Sequence, residues 1–160
     1  MKIMVFTEGT ILMHSSAKGA PRSERVKQVM QKETSVHDYA SYIPNGNALE
    51  KIRKWVNDGA DIYYLTSRRG KEVKLIKNVL EKFGFPSIEN LLFRKTFESY
   101  ADVAVRVMPD ILIEDDCESI GGIIEMTFPN IPIRHRDQIK SVIVKEFDGI
   151  DSLSDKVSEL

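Results

Sequence analysis

Cysteine is nearly absent from this sequence. Cys117 is the only one in 160 residues, so neither an intramolecular disulfide nor a cysteine metal cluster can form. Three acids sit beside it, which disfavours the thiolate and marks Cys117 as structural rather than nucleophilic. Histidine is scarce as well, and His14, His37 and His135 are too dispersed for a zinc site. A basic surplus is missing: 23 Lys and Arg face 24 Asp and Glu, for a formal net charge of -1, so neither nucleic acid nor an anionic membrane is an expected partner. No Gly-x-Gly-x-x-Gly run and no Walker-type lysine loop is present, which argues against a dinucleotide or P-loop nucleotide site. Repeats, low-complexity tracts and linkers are also lacking. The opening apolar run, MKIMVF, meets Thr7-Glu8-Gly9 too soon to be a signal peptide or a membrane span.

What remains is an ordinary globular composition, 42% hydrophobic and 29% charged, enough to build one buried core and far from the disordered class. The expectation is one cytoplasmic domain over residues 1–150 with a polar tail at 151–160, as a monomer or homodimer. Residues 2–6 are apolar without lasting alternation, the pattern of a strand covered on both faces. Pro21 opens a helix reaching about residue 32, with Val26, Val29 and Met30 on one face. Asn47 is placed to cap a helix whose stripe is Leu49, Ile52, Trp55 and Val56, ended by Gly59. Residues 61–65 predict a strand, 71–83 a helix, 88–93 a weak strand and 97–107 a helix before Pro109. Residues 110–113 predict a strand, 123–126 a last strand, and 134–146 a final helix carrying Lys140 and Lys145 on its outer face. Strands alternating with helices at this spacing imply an α/β fold with a mostly parallel sheet. Residues 13–46 exceed a simple crossover and are either a minimal cap or a crossover insertion.

In such a sheet ligands bind beyond the carboxyl ends of the strands, and three strand ends carry polar residues. The first is Thr7-Glu8-Gly9-Thr10. The second is Thr66-Ser67-Arg68-Arg69, where hydroxyls and free amides at the start of a helix form a phosphate seat and an arginine adds charge-assisted bonds. Plain turn and cap chemistry is the competing reading of that segment. The third is Glu114-Asp115-Asp116. Three successive carboxylates suit a hard cation such as Mg²⁺; capping by Asp115 or Asp116, or a solvated acidic turn, are the alternatives. His14 lies near the mouth of this pocket, either a ligand contact or loop surface, and His37, Asp38, Tyr39 and Tyr42 lie in the insertion, either as ligand contacts or as local packing.

These segments, in order and spacing over about residues 1–130, resemble motifs I, II and IV of the haloacid dehalogenase-like (HAD) superfamily. The resemblance implies a Rossmann-like three-layer sandwich with a small or absent cap, and Mg²⁺-dependent phosphohydrolase chemistry through an aspartyl-phosphate. It implies Glu8 as general acid/base and metal ligand, and Asp115 and Asp116 as further metal ligands. Thr7, Gly9, Thr66, Ser67 and Arg68 would hold phosphate, with Lys95 or Arg106 as the basic residue of the third motif. The first motif departs from the family: Phe6 stands where the nucleophilic aspartate belongs, and a phenyl ring neither attacks phosphorus nor binds Mg²⁺. The function expected is binding of a phosphorylated small molecule with Mg²⁺, either as a phosphohydrolase or as a catalytically inactive binding domain.

Overall fold

The computed structural model describes residues Met1–Leu160. Five parallel strands form the central sheet: β1 (Lys2–Phe6), β4 (Asp61–Leu65), β5 (Leu91–Leu92), β6 (Ile111–Asp115) and β7 (Lys140–Val144). Their order is β5-β4-β1-β6-β7, so the chain moves outward from β1 to one side and then returns to build the other. The point where strand order reverses lies between β1 and β6, and the polar strand ends meet there.

Alternation along the buried strands divides the core into two faces. Ile3 and Val5, with Ile62, Tyr64, Ile111 and Ile113, pack against Ile52 and Trp55 of α2 (Ala48–Asn57) and Ile76, Val79 and Leu80 of α3 (Lys71–Phe83). Met4, Leu65 and Leu112 face the other way, onto Ala101, Val103 and Ala104 of α4 (Tyr100–Val107). The result is a three-layer α/β sandwich. No helix is long and apolar enough to cross a membrane.

Residues 13–46 hold α1 (Arg22–Met30) and several 3-10 turns. Their ends are tied by a two-residue antiparallel ribbon, β2 (Leu12–Met13) with β3 (Ile43–Pro44). α2 is the crossover helix into β4. Asn47 does not cap α2 through its side chain; its amides donate to Asp151 instead.

Several expectations are corrected. Residues 123–126 are not a strand: Gly122–Ile124 is a 3-10 turn with Ile123 and Ile124 exposed. Residues 134–146 are not one helix. The helix α5 (Ile133–Arg136) is a single turn, and β7 follows at the sheet edge beside β6. The β-branched run Val142-Ile143-Val144 favours a strand, and the lysines that suggested a helical outer face bracket that strand. The fourth helix begins at Tyr100 rather than 97, because Ser99 and Asp102 form a reciprocal capping box. The last ten residues are not merely polar: Val157 and Leu160 are buried, and Trp55 donates its indole N–H to the Ser154 carbonyl.

Candidate active site

The loop after β1 leaves the sheet in a tight turn, with the Ile11 and Leu12 amides both donating to the Thr7 carbonyl. Gly9 stands at φ +83°, and a Cβ there would lie 2.6 Å from Asp115 Oδ2. Glycine is required twice over, by its backbone angle and by the approach of the acid. Thr10 Oγ1 donates to the same oxygen at 2.9 Å, so the first strand end holds the third in place.

Glu8 points the opposite way, toward β4. Its Oε1 accepts from Thr66 Oγ1 at 2.5 Å. Its Oε2 accepts from Thr7 Oγ1 at 2.7 Å, from the Ser67 amide at 3.1 Å and from Ser67 Oγ at 3.3 Å. Arg68 Nε lies 3.7 Å from Oε1. The guanidinium sits 4.5 Å over the Tyr39 ring and donates to the Tyr39 hydroxyl. Thr7 and Thr66 are fully buried beneath the pocket, with their hydroxyls engaged by Glu8; Glu8, Gly9, Ser67 and Arg68 line it.

Across the pocket, Asp115, Asp116 and Glu146 each offer a carboxylate oxygen, and these atoms lie within 4.8 Å of one another. Asp115 is buried. Burial pushes its carboxyl up to about 7; the Cys117 amide hydrogen bond opposes this, and the charge of Glu146 adds to it. Burial also raises Glu146, which accepts from the Ser119 amide at 2.7 Å and the Ser119 hydroxyl at 2.6 Å. Asp116 accepts from the Glu146 amide at 3.0 Å. Glu114 does not join this group. Strand alternation turns it away, and it accepts from the Thr127 and Phe128 amides at 2.6 and 2.8 Å. The Cys117 thiol is pushed well up, first by burial and then by the charge of Asp115.

The third wall is aromatic. Phe6 meets Tyr100 edge-on at 5.1 Å between ring centres, and the Arg94 guanidinium lies 3.9 Å over the Tyr100 ring. Arg94 Nε is buried without a hydrogen-bond partner. Neither basic candidate read from the sequence lines the cavity. Lys95 is exposed, and Arg106 is exposed on α4, paired with Glu98 at 3.3 Å. Arg94 is the basic residue of this wall, and the insertion supplies Val36, His37, Tyr39 and Tyr42 opposite it. The cavity measures about 430 Å³, large enough for a small organic ligand. His14 is buried against Phe147 and bonded to Gln28 at 2.8 Å, away from the pocket.

Glu146, Arg94 and Tyr100 were missed from the sequence. Glu146 follows the β-branched run of β7 as Asp115 follows that of β6, and reading residues 140–144 as a strand would have brought it forward. Arg94 follows Leu91-Leu92 in the same manner.

No protein-family model matches the sequence, and no curated protein matches it significantly. Solved structures do. The class C acid phosphatase from Bacillus anthracis superposes at a TM-score of 0.58, with 16% identity over 96% of this chain and 74% of its own. The same phosphatase with tungstate bound gives 0.56, with 16% identity over 92% and 68%. A HAD family hydrolase from Deinococcus radiodurans R1, with bound phosphate and sodium, gives 0.47 and 9% identity over 91% of each chain. Strand order, layer arrangement and the two phosphatase superpositions together establish the fold as a Rossmann-like three-layer α/β sandwich, the fold of that acid phosphatase.

Proposed function

We propose that this protein binds a phosphorylated small molecule together with Mg²⁺ in the pocket between β1, β4 and β6. One observation carries the reading: Asp115, Asp116 and Glu146 bring three carboxylate oxygens within 4.8 Å beside a pocket that also holds Arg68 and Arg94. The donor set is all oxygen, with no soft ligand, and fits a hard divalent cation. Asp115, Asp116 and Glu146 would hold Mg²⁺, which when bound shields the charge of a phosphoryl group. Arg94 and Arg68 add cationic donors, the planar guanidinium suiting phosphate oxygens. Phe6, Tyr39 and Tyr100 exclude water from the organic part of the ligand.

Binding without turnover is the reading favoured by Phe6, which packs on Tyr100 where a nucleophilic carboxylate would be needed. Hydrolysis is the second reading and rests on Glu8, a carboxylate lining the pocket that could take a proton from water. Calorimetric titration with Mg²⁺, followed by a panel of sugar phosphates, nucleotides and a chromogenic phosphate ester, tests both. Saturable Mg²⁺ binding that weakens at least tenfold in Asp115→Asn and Glu146→Gln is expected. No heat at millimolar Mg²⁺, with or without phosphate esters, would overturn the proposal. Mg²⁺-dependent turnover abolished by Glu8→Gln would move the protein to the second reading.

A further inference from the structure

The phosphate seat expected at Thr66 and Ser67 already holds an anion. Four hydrogen bonds converge on the Glu8 carboxylate, from Thr66 Oγ1, Thr7 Oγ1, the Ser67 amide and Ser67 Oγ, with Arg68 Nε close by. Hydroxyls, an amide and a guanidinium disposed around one point are what a phosphoryl group requires. A carboxylate reaches them because the side chain at position 8 is glutamate, whose extra methylene carries its oxygens across to β4. The group is only partly covered, with 12% of its side chain exposed toward the pocket it lines.

We infer that Glu8 is a tethered internal ligand of this anion seat, so that an external phosphoryl group gains the seat only by displacing it. The inference rests on the phosphate-binding reading above and adds a competition within the chain. Its physical basis is effective concentration: a carboxylate attached to the adjacent loop competes with a free anion as though present at millimolar level or above. When the side chain swings into the cavity, Thr66 Oγ1, Ser67 N, Ser67 Oγ and Arg68 are released together. Measured affinity for a phosphorylated ligand is then the difference between two anions on one set of donors, weaker than the donor set alone would give.

The test uses inorganic phosphate and formate as probes of the full chain in Mg²⁺-free buffer, which separates it from the metal site. Glu8→Ala should melt lower than the parent, because it strands the buried Thr66 hydroxyl and the Ser67 amide. Millimolar phosphate or formate should restore part of that loss while leaving the parent unmoved. Calorimetry should show phosphate binding at least tenfold tighter in Glu8→Ala than in the parent, and Thr66→Val in the Glu8→Ala background should remove the gain. Glu8→Gln, which keeps the shape and loses the charge, serves in the same measurements should the alanine variant not fold. Equal phosphate affinity in parent and variants, or binding in none of them, would overturn the inference. The metal proposal stands or falls separately, on the Mg²⁺ titration of the parent.

Discussion

Two carboxylate groups face each other across the pocket, and their surroundings are opposite. Glu8 sits among donors, with four hydrogen bonds and an arginine. Asp115 sits among acids, with Asp116 and Glu146 close by and burial pushing it up to about 7. One half of the site has its negative charge satisfied, while the other accumulates charge that a cation would neutralise. Such an arrangement suits a cation beside an anion, the combination that the proposed metal-bound phosphate would present.

The change that should disturb both halves at once is Gly9→Ala. It forces a side chain into φ +83° and against Asp115 Oδ2, for an expected loss of roughly 2–4 kcal/mol in urea denaturation together with loss of the Mg²⁺ heat. A variant as stable as the parent would mean that the loop moves freely and that the two halves are independent.

Asp115→Asn sharpens the contrast by acting on the acidic half alone. It should weaken Mg²⁺ at least tenfold, as removal of a ligand or its support typically does (about 10–100-fold). It should also change the pH dependence of stability. The folded Asp115 carboxyl titrates at about 7 against an ordinary 3.8, so the native state keeps a proton that the unfolded chain has released. Stability in Mg²⁺-free buffer therefore falls as pH rises from about 4 to about 7. Urea midpoints across that window should show a shallower fall in Asp115→Asn. Some slope should survive, because Glu114 and Glu146 are also raised by burial. An unchanged slope would remove Asp115 as its source.

Thr10→Val is a smaller intervention. The hydrogen bond to Asp115 disappears, at an expected cost of about 1.5–3 kcal/mol for a bond to a charged group, with Mg²⁺ affinity reduced rather than abolished. Calorimetry that matches the parent would show that Thr10 does not orient the acid. Least affected should be Arg106→Ala. Its solvent-screened pair with Glu98 contributes little to stability, so the urea midpoint should barely move and anion binding should not change. A loss of phosphate-ester affinity in this variant would return Arg106 to the pocket.

Much of this arrangement was legible in the sequence because it is written in short-range chemistry. The β1, β4 and β6 segments announce themselves as unbroken apolar runs, each followed by polar residues where the sheet stops. Glu146, the third carboxylate of the acidic cluster, was hidden because Lys140 to Lys145 reads equally as a charged helical face or as a half-covered edge strand. Only pairing with β6 decides between them. Glu114 was misread for a different reason: neighbours in a strand point to opposite faces, so three acids in a row cannot all converge. The place of Glu8 depends on a reach of one methylene across to β4, a tertiary distance that no local pattern encodes. Lys95 and Arg106 lost to Arg94 in the same way, since ring stacking on Tyr100 fixes which basic side chain enters the cavity.

The edges of the sheet have a consequence for how copies of this protein behave at high concentration. An open strand edge invites a neighbouring chain to continue the ladder. One edge, β5, is only two residues long and offers little template. At the other edge, β7 carries Ile143 with 54% of its surface in solvent, a segment that by itself would promote fibrillar association. Lys140 and Lys145 stand at its two ends, where their charges act as gatekeepers against intermolecular strand addition. Neither lysine lines the pocket, and replacing both with apolar residues should turn this edge into a nucleus for aggregation, while also removing the bond from the Lys140 ammonium to the Leu160 carbonyl.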